Sequence, residues 1–578
     1  MRLVILTSFR ETKMYLKNNR INSDIVFPTN AYLYDTLKVN NIQFISLSDF
    51  INEPLYNDRM IQTNGLVKKV ISELNSYSNN VSTIKDLKID LGDYFSFNLQ
   101  VVLGQLNYMS FLIEQLNLVY KPDKWLLFYP IEFFNNLYLG FRPSPVSVFQ
   151  KVFVSFGFCN VKAIRYFVRP SKPDLKVFIK DIVPDIVFKY YMKLRMIKLH
   201  GIVDVRKKPN ILALDALYDW SVLLNSKQFK GLFNLEYRFF HYEISVWSKD
   251  NQSILEILNR GITLNDQSTI LSRQANIIGA SFERFKRELE IQSIKLSGYI
   301  CLLNTVFVKP EHNYLAHLAN QMGIPVLTWQ HGEMGAYTDI FQESIEVRYT
   351  NIYFCYGDGV ARKYLNLEGN SAIREVISVG NLTKKCSSSG KEYILYATGK
   401  WTGVVSPFFE NINTDSKLYS AQSTILNYLD NVSVRAIFKA SNHVGQNSVS
   451  VDNNSVEMDF HTPFIDLVSE ASIIILDTPS TTLIESVSTD KPIFVLSELL
   501  PGKWNNDEFI KLLEKRVMIY ENVVDLIDGV DKYLEDGLYN ADVGNNEFYR
   551  AFASKFDNDE IINIMVSKIN SLTKNDYE

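Results

Sequence analysis

Two stretches decide how this chain reads: residues 323–337, GIPVLTWQHGEMGAY, and residues 475–496, ILDTPSTTLIESVSTDKPIFVL. In the first, the apolar and β-branched run 324–329 has the pattern of a buried strand and stops on Gln330, His331, Gly332 and Glu333. A strand that ends this way brings an imidazole to the edge of a sheet. In the second, a strand over 473–476 ends at Asp477-Thr478-Pro479, three hydroxyl residues follow (Ser480, Thr481, Thr482), and Leu483-Ile484-Glu485 opens a helix. Free amide N–H groups and hydroxyls at a helix start suit an anion. Ligands of open α/β sheets sit outside the carboxyl ends of the strands, so both corners place polar residues where a ligand would bind.

Working outward, the strand-then-polar-loop unit recurs. After His331 the strands are expected at 352–356, 376–379, 393–397 (before Thr398-Gly399-Lys400), 434–438 (before Lys439), 473–476 and, last, 492–496. Before it they are expected at 3–6, 24–27, 43–47, 125–129, 161–167, 210–214 and 299–306. Helical spacing fills 66–118, 149–158 and 253–291, and Pro310 starts a helix that feeds the strand carrying His331. Such alternation makes parallel, helix-covered sheets. The chain exceeds what one core supports, and the reading favours two domains. Residues 1–330 form an N-terminal Rossmann-like domain with helical additions, and residues 331–578 a C-terminal one ending in a helical tail. His331 then stands near the seam.

Composition narrows the function. A net charge of −4 argues against a general nucleic-acid binder, so any basic surface is local. One such stretch is 185–208, DIVFKYYMKLRMIKLHGIVDVRKK, where lysines and arginines alternate with Tyr, Met, Leu and Ile. It suits an anionic membrane surface or a polyanionic acceptor, and equally a solvated helix face over a core. The four cysteines lie far apart without metal-ligand spacing, and no uninterrupted apolar run reaches membrane-spanning length. The expected compartment is the cytoplasm, with peripheral contact at the inner face of the membrane.

Four pieces occur in order: WQHGEMG, a strand closing on glycine (VISVGN), a strand followed by Lys and a later His (AIFKASNH), and a D-x-x-[ST]-[ST]-x-x-x-[ED] loop and helix followed by D-K-P. This set, over about residues 300–500, resembles the C-terminal half of glycosyltransferase-B (GT-B) enzymes that build bacterial surface polysaccharides such as capsule or lipopolysaccharide. It is similar both to teichoic-acid glycerophosphotransferases and to transferases of acidic keto-sugars carried on CMP. The first 300 residues share only the order of strands and helices.

The resemblance implies two Rossmann-like domains facing each other across a cleft, a nucleotide-sugar donor (CMP-, CDP- or UDP-linked) on the C-terminal one, a glycan or lipid-linked glycan acceptor, and neither metal nor other cofactor. It implies that Ser480, Thr481 and Thr482 hold the donor's phosphates and that Glu485 accepts from the ribose hydroxyls. His331, beside Gly332, contacts donor phosphate or moves a proton. Gly399, next to Thr398, admits a phosphate to the backbone, and Lys439 supplies a positive charge. His443 departs from the family's Lys-x-His-Pro pattern, since it is displaced and lacks the proline. For the group that faces the acceptor, the strand ends of the N-terminal half offer Glu132, Asp215, Asp219 and Glu311, of which Asp215 and Glu311 are chosen.

Plainer readings stand beside these: an ordinary capped helix at Thr481, a solvated Lys439, a structural His331. As competing functions, a CDP-glycerol glycerophosphotransferase would use the same loops, a sugar-nucleotide epimerase would share the architecture, and the sparse N-terminal motifs leave room for a non-catalytic scaffold that binds glycan or a synthase partner.

Overall fold

Among the described residues every strand lies in a parallel sheet, and there are three sheets. The structure is a computed structural model. It describes residues 1–81, 88–131, 152–153, 156, 158, 160–167, 208–214, 219–237, 250–262, 268–332, 346–365, 372–382, 393–399, 415–440, 456–479, 481–498 and 506–573. The expected basic segment lies outside these residues apart from Lys208, as does most of the expected helix at 149–158.

The first sheet holds β1 (Arg2–Leu6), β2 (Asp24–Pro28), β3 (Lys124–Ile131) and β4 (Val161–Phe167) in the order β2-β1-β3-β4. The strand expected at 43–47 shrinks to one bridge, Phe44 to Val26. β3 runs on through Pro130, where a stop was expected. β1 pairs with it only as far as Leu127, so the proline's missing N–H removes no bond on that side. The helices Glu53–Val81 and Ser96–Tyr120 fill the expected helical span.

The second sheet contains β5 (Asn210–Ala213), β6 (Asn234–Tyr237), β7 (Cys301–Asn304), β8 (Val326–Trp329), β9 (Ile352–Cys355) and β10 (Glu375–Ser378), ordered β10-β9-β8-β7-β5-β6. The division expected at residues 330 and 331 falls inside this sheet, between β8 and β9, which pair from Leu327↔Ile352 to Trp329↔Phe354. The third sheet has β11 (Ile394–Ala397), β12 (Ala436–Lys439), β13 (Val456–Asp459), β14 (Ile473–Leu476), β15 (Ile493–Leu496) and β16 (Met518–Tyr520), ordered β13-β12-β11-β14-β15-β16. Counted within the sheet this is the order 3-2-1-4-5-6 of a Rossmann-like domain, whose ligand crevice opens where the order reverses, between β11 and β14. The fold class is thus the mixed α/β, Rossmann-like one expected. The expected first half resolves into a small four-stranded sheet and most of a six-stranded one.

Shared cores join the sheets. Tyr353 and Cys355 of β9, with Val360 and Tyr364 of the helix Asp358–Leu365, pack in one cluster with Leu395 of β11, Leu476 of β14 and Phe548 and Phe552 of the helix Glu547–Phe552. The last helix, Asn558–Ser571, returns to the second sheet, where Ile561, Met565 and Ile569 cover Ile211, Leu303, Trp329 and Phe354. Among the described residues no helix is long and apolar enough to cross a membrane.

Candidate active site

At the end of β8 the side chain of Gln330 does structural duty. Its Oε1 accepts the Tyr356 N–H at 2.9 Å, tying β8 to the end of β9, and its Nε2 donates to the Gly332 carbonyl at 2.7 Å. That bond folds the chain back on itself over Gly332, whose φ of 72° lies in the left-handed region that favours glycine. His331 is exposed between these two anchors. Its backbone N–H donates to Oε1 of Glu346 at 3.3 Å. Glu346 is buried, and its Oε2 accepts the hydroxyls of Tyr353 at 2.7 Å and Tyr364 at 2.8 Å. Burial raises the Glu346 pKa, against the lowering effect of the two hydroxyl bonds and the His331 amide.

At the β11/β14 crevice of the third sheet the organising group is Asp477. It is fully buried and accepts the Tyr396 hydroxyl at 2.6 Å, the Thr398 hydroxyl at 2.6 Å and the Gly399 N–H at 2.8 Å. Burial pushes its carboxyl up, opposed by these donors. The Gly399 amide therefore donates to Asp477, and the residue has to be glycine because a Cβ there would collide with Thr478 Oγ1. Beyond Pro479 the helix Thr481–Val487 begins, with Thr481 exposed and Thr482 half-buried. Glu485 is largely buried on this helix, and burial together with the like charge of Asp466 pushes its pKa up to about 7.

The two corners meet. A Cβ built on Gly332 would lie 3.8 Å from Thr481 Oγ1, in ordinary contact, so the turn after β8 of the second sheet touches the first residue of the helix after β14 of the third. His331, Gly332 and Thr481 thus share one corner between two sheets. By contrast, at the end of β1 in the first sheet the donors of Thr7 are taken within the chain: the buried Glu11 carboxylate accepts both its N–H, at 2.5 Å, and its hydroxyl, at 2.8 Å.

Other expected residues stand elsewhere in the chain's own bonding. Lys439 pairs with Asp459 at 3.1 Å; burial would raise the Asp459 carboxyl, but bonds from Thr462, Lys439 and the His461 N–H hold it down at about 2. Glu311 is 3% exposed in the first turn of the helix Pro310–Gln321, its pKa raised by burial against the charges of Arg284 and Lys309. Asp219 is half-buried at the start of the helix Asp219–Asn225. It accepts the Leu382 N–H at 2.9 Å and the Tyr356 hydroxyl at 3.2 Å, and burial pushes it up to about 6. Asp215, Ser480, Glu132, Glu333, Lys400 and His443 lie outside the described residues.

Two residues without an assigned role in the sequence reading organise the site: Asp477 and Glu346. A signal for Asp477 was there, a carboxylate directly after the wholly apolar strand IIIL. Glu346 gave none, because its partners come from β8, β9 and the helix after β9.

No protein-family model matches the chain, and no curated protein matches it. Among solved structures it is similar to Staphylococcus aureus MnaA with UDP (12% identity, covering 63% of this chain and 97% of that one, TM-score 0.38). It is also similar to the spinosyn forosaminyltransferase SpnP (9%, 63% and 99%, TM-score 0.35) and to Acinetobacter baumannii MurG (11%, 63% and 99%, TM-score 0.35). At these TM-scores the likenesses decide neither reaction nor substrate.

Proposed function

We propose that the chain is a metal-independent glycosyltransferase of the GT-B type. It moves a sugar from a nucleotide donor to a growing bacterial surface polysaccharide or lipid-linked glycan, working at the inner face of the membrane. The observation that carries this reading is the approach of Gly332 to Thr481, which supports a single corner where the turn bearing the imidazole meets the hydroxyls at a helix start. In this reading the donor lies against the third sheet. Thr481 and Thr482, with Ser480, hold its phosphates, and Glu485 accepts hydrogen bonds from the ribose diol. The acceptor approaches from the side of the first and second sheets.

Transfer makes a bond from the acceptor oxygen to the anomeric carbon and breaks the bond from that carbon to phosphate. The leaving phosphate gains charge as it departs, and His331 as imidazolium balances it or, as imidazole, takes the acceptor's proton. Lys439 is left with its Asp459 pair as a more distant positive charge.

The test begins with a thermal-shift screen of CMP, CDP, UDP and GDP, since a ligand held by the folded state raises the midpoint with its concentration. One of them is expected to raise it, and Glu485→Ala to abolish the rise. With the matching nucleotide sugar, His331→Ala is expected to lower turnover by roughly 10²- to 10⁴-fold with folding kept. No shift with any nucleotide, or wild-type turnover in both variants, would overturn the reading. Protection by CDP-glycerol and by no nucleotide sugar would turn it toward glycerophosphate transfer.

A further inference from the structure

His331 is gripped through its backbone on both sides. Gln330 Nε2 holds the carbonyl of Gly332, and Glu346 Oε1 receives the N–H of His331 itself. The second grip is itself tightly held. Besides the two tyrosine hydroxyls on its carboxylate, the Glu346 carbonyl accepts the Thr350 hydroxyl at 2.7 Å, and Thr350 Oγ1 lies 2.7 Å from Thr328 Oγ1 on β8, one residue before Trp329. The strand that carries the imidazole and the carboxylate that fixes its amide therefore belong to one bonded unit.

The chemistry of that carboxylate is costly. Glu346 makes no ion pair among the described residues, and its neighbours Val347, Tyr353 and Tyr364 belong to an apolar cluster. A buried carboxylate without a contacting cation stabilises a fold less than apolar packing of similar volume would. Its three donors, however, leave it a fixed acceptor pointing at one amide. We propose that Glu346 is the positioning residue of this site, its carboxylate setting through the His331 amide the place at which the imidazole meets the donor phosphate. The inference rests on the assignment of His331 above.

Among the described residues the groups facing Glu346 are Tyr353 of β9, Tyr364 and the more distant Lys363 of the helix Asp358–Leu365, and the His331 amide. Neither tyrosine competes with it for a proton near neutrality, since burial raises both phenols. Only the ionised carboxylate accepts from both tyrosine hydroxyls and the His331 N–H at once; a proton on either oxygen turns one of those bonds round, so the grip is strongest in the ionised form.

The test uses the full chain labelled with ¹⁵N-histidine and the isosteric Glu346→Gln. In the wild type the His331 amide resonance is expected to move with a pH step separate from that of its imidazole. In Glu346→Gln that step disappears and the imidazole's own pKa moves, while the thermal midpoint is kept. Turnover of the nucleotide sugar picked out by the thermal screen is expected to fall about tenfold with KM unchanged, and Tyr353→Phe to give a smaller loss. An unchanged His331 amide and imidazole titration in Glu346→Gln would overturn the proposal. His331→Ala with wild-type turnover would overturn the reading of the site instead, and the resonance experiment still decides whether Glu346 holds His331.

Discussion

Glu485 carries its proton far into the neutral range because water is largely excluded from its carboxyl and Asp466 adds a second negative charge. The sign of the consequence follows from the raised value. With a folded pKa of about 7, above that of an unfolded glutamate at roughly 4.3, this group contributes stability that is present in acid and lost as the pH climbs through about 7. A diol that donates to the carboxylate restores that loss. Nucleotide affinity is therefore expected to rise between pH 6 and 8, and Glu485→Gln to flatten the rise, as isothermal titration at several pH values would show. At this scale the sequence was partly legible. Thr481, Thr482 and Glu485 announce themselves by clustering next to each other in the chain, whereas Glu346 draws its meaning from Tyr353, Tyr364 and His331, and no spacing rule links those positions.

Among the elements, the third sheet shows what a strand's position does to its readability. β11, β12, β14 and β15 are flanked on both sides and their sequences ILYA, AIFK, IIIL and IFVL are wholly or mainly apolar, which is why each was expected. The strands that went unrecognised, β6 (NLEY), β13 (VEMD) and β16 (MIY), all lie at sheet edges, where one flank pairs with no other strand among the described residues and polar residues are tolerated. At the crevice between β11 and β14, the contact of Gly399 with Thr478 leaves no room for a methyl group. Gly399→Ala is expected to cost about 1–3 kcal/mol, as overpacking in a filled site does, and to lower nucleotide affinity because the Asp477 bonds to Thr398 and Gly399 are strained with it. Chemical denaturation and the same titration check both effects. The paired variant Gly399→Ala, Thr478→Ala removes the hydroxyl and methyl that the new Cβ would meet and is expected to recover part of the loss.

Across the whole molecule, the sheets touch through shared elements. Ala31 and Tyr34 of the N-terminal part join the core of β11 and β12, and Asp35 and Lys38 reach Tyr419 on the helix Asp415–Asn431. Length had allowed two large domains or three small ones, but neither join between sheets was visible. β9 and β10 run on along the chain into β11 and were read as one domain with it, although they belong to the second sheet. Between the first and second sheets, the helices Ser96–Tyr120 and Ser268–Leu296 supply residues to a single core reaching from Leu3 and Trp125 to Leu302 and Val326. No shift in composition marks such a join.

The backbone passes from the second sheet to the third after Leu382 and comes back at Ala553, and at that place the Asn381 N–H donates to the Ala553 carbonyl at 3.2 Å. A single cut at the outward passage would consequently not release either half. Pieces spanning 1–382 and 383–578, made together in one cell, are expected to copurify as a stoichiometric pair, because the second piece leaves its last helix embedded in the first. Trimming that second piece at residue 557 removes the helix but leaves the cluster of Tyr353 and Tyr364 with Leu395, Leu476 and Phe552, so the pair is then expected to weaken and to part at a higher concentration on a sizing column than the untrimmed pair.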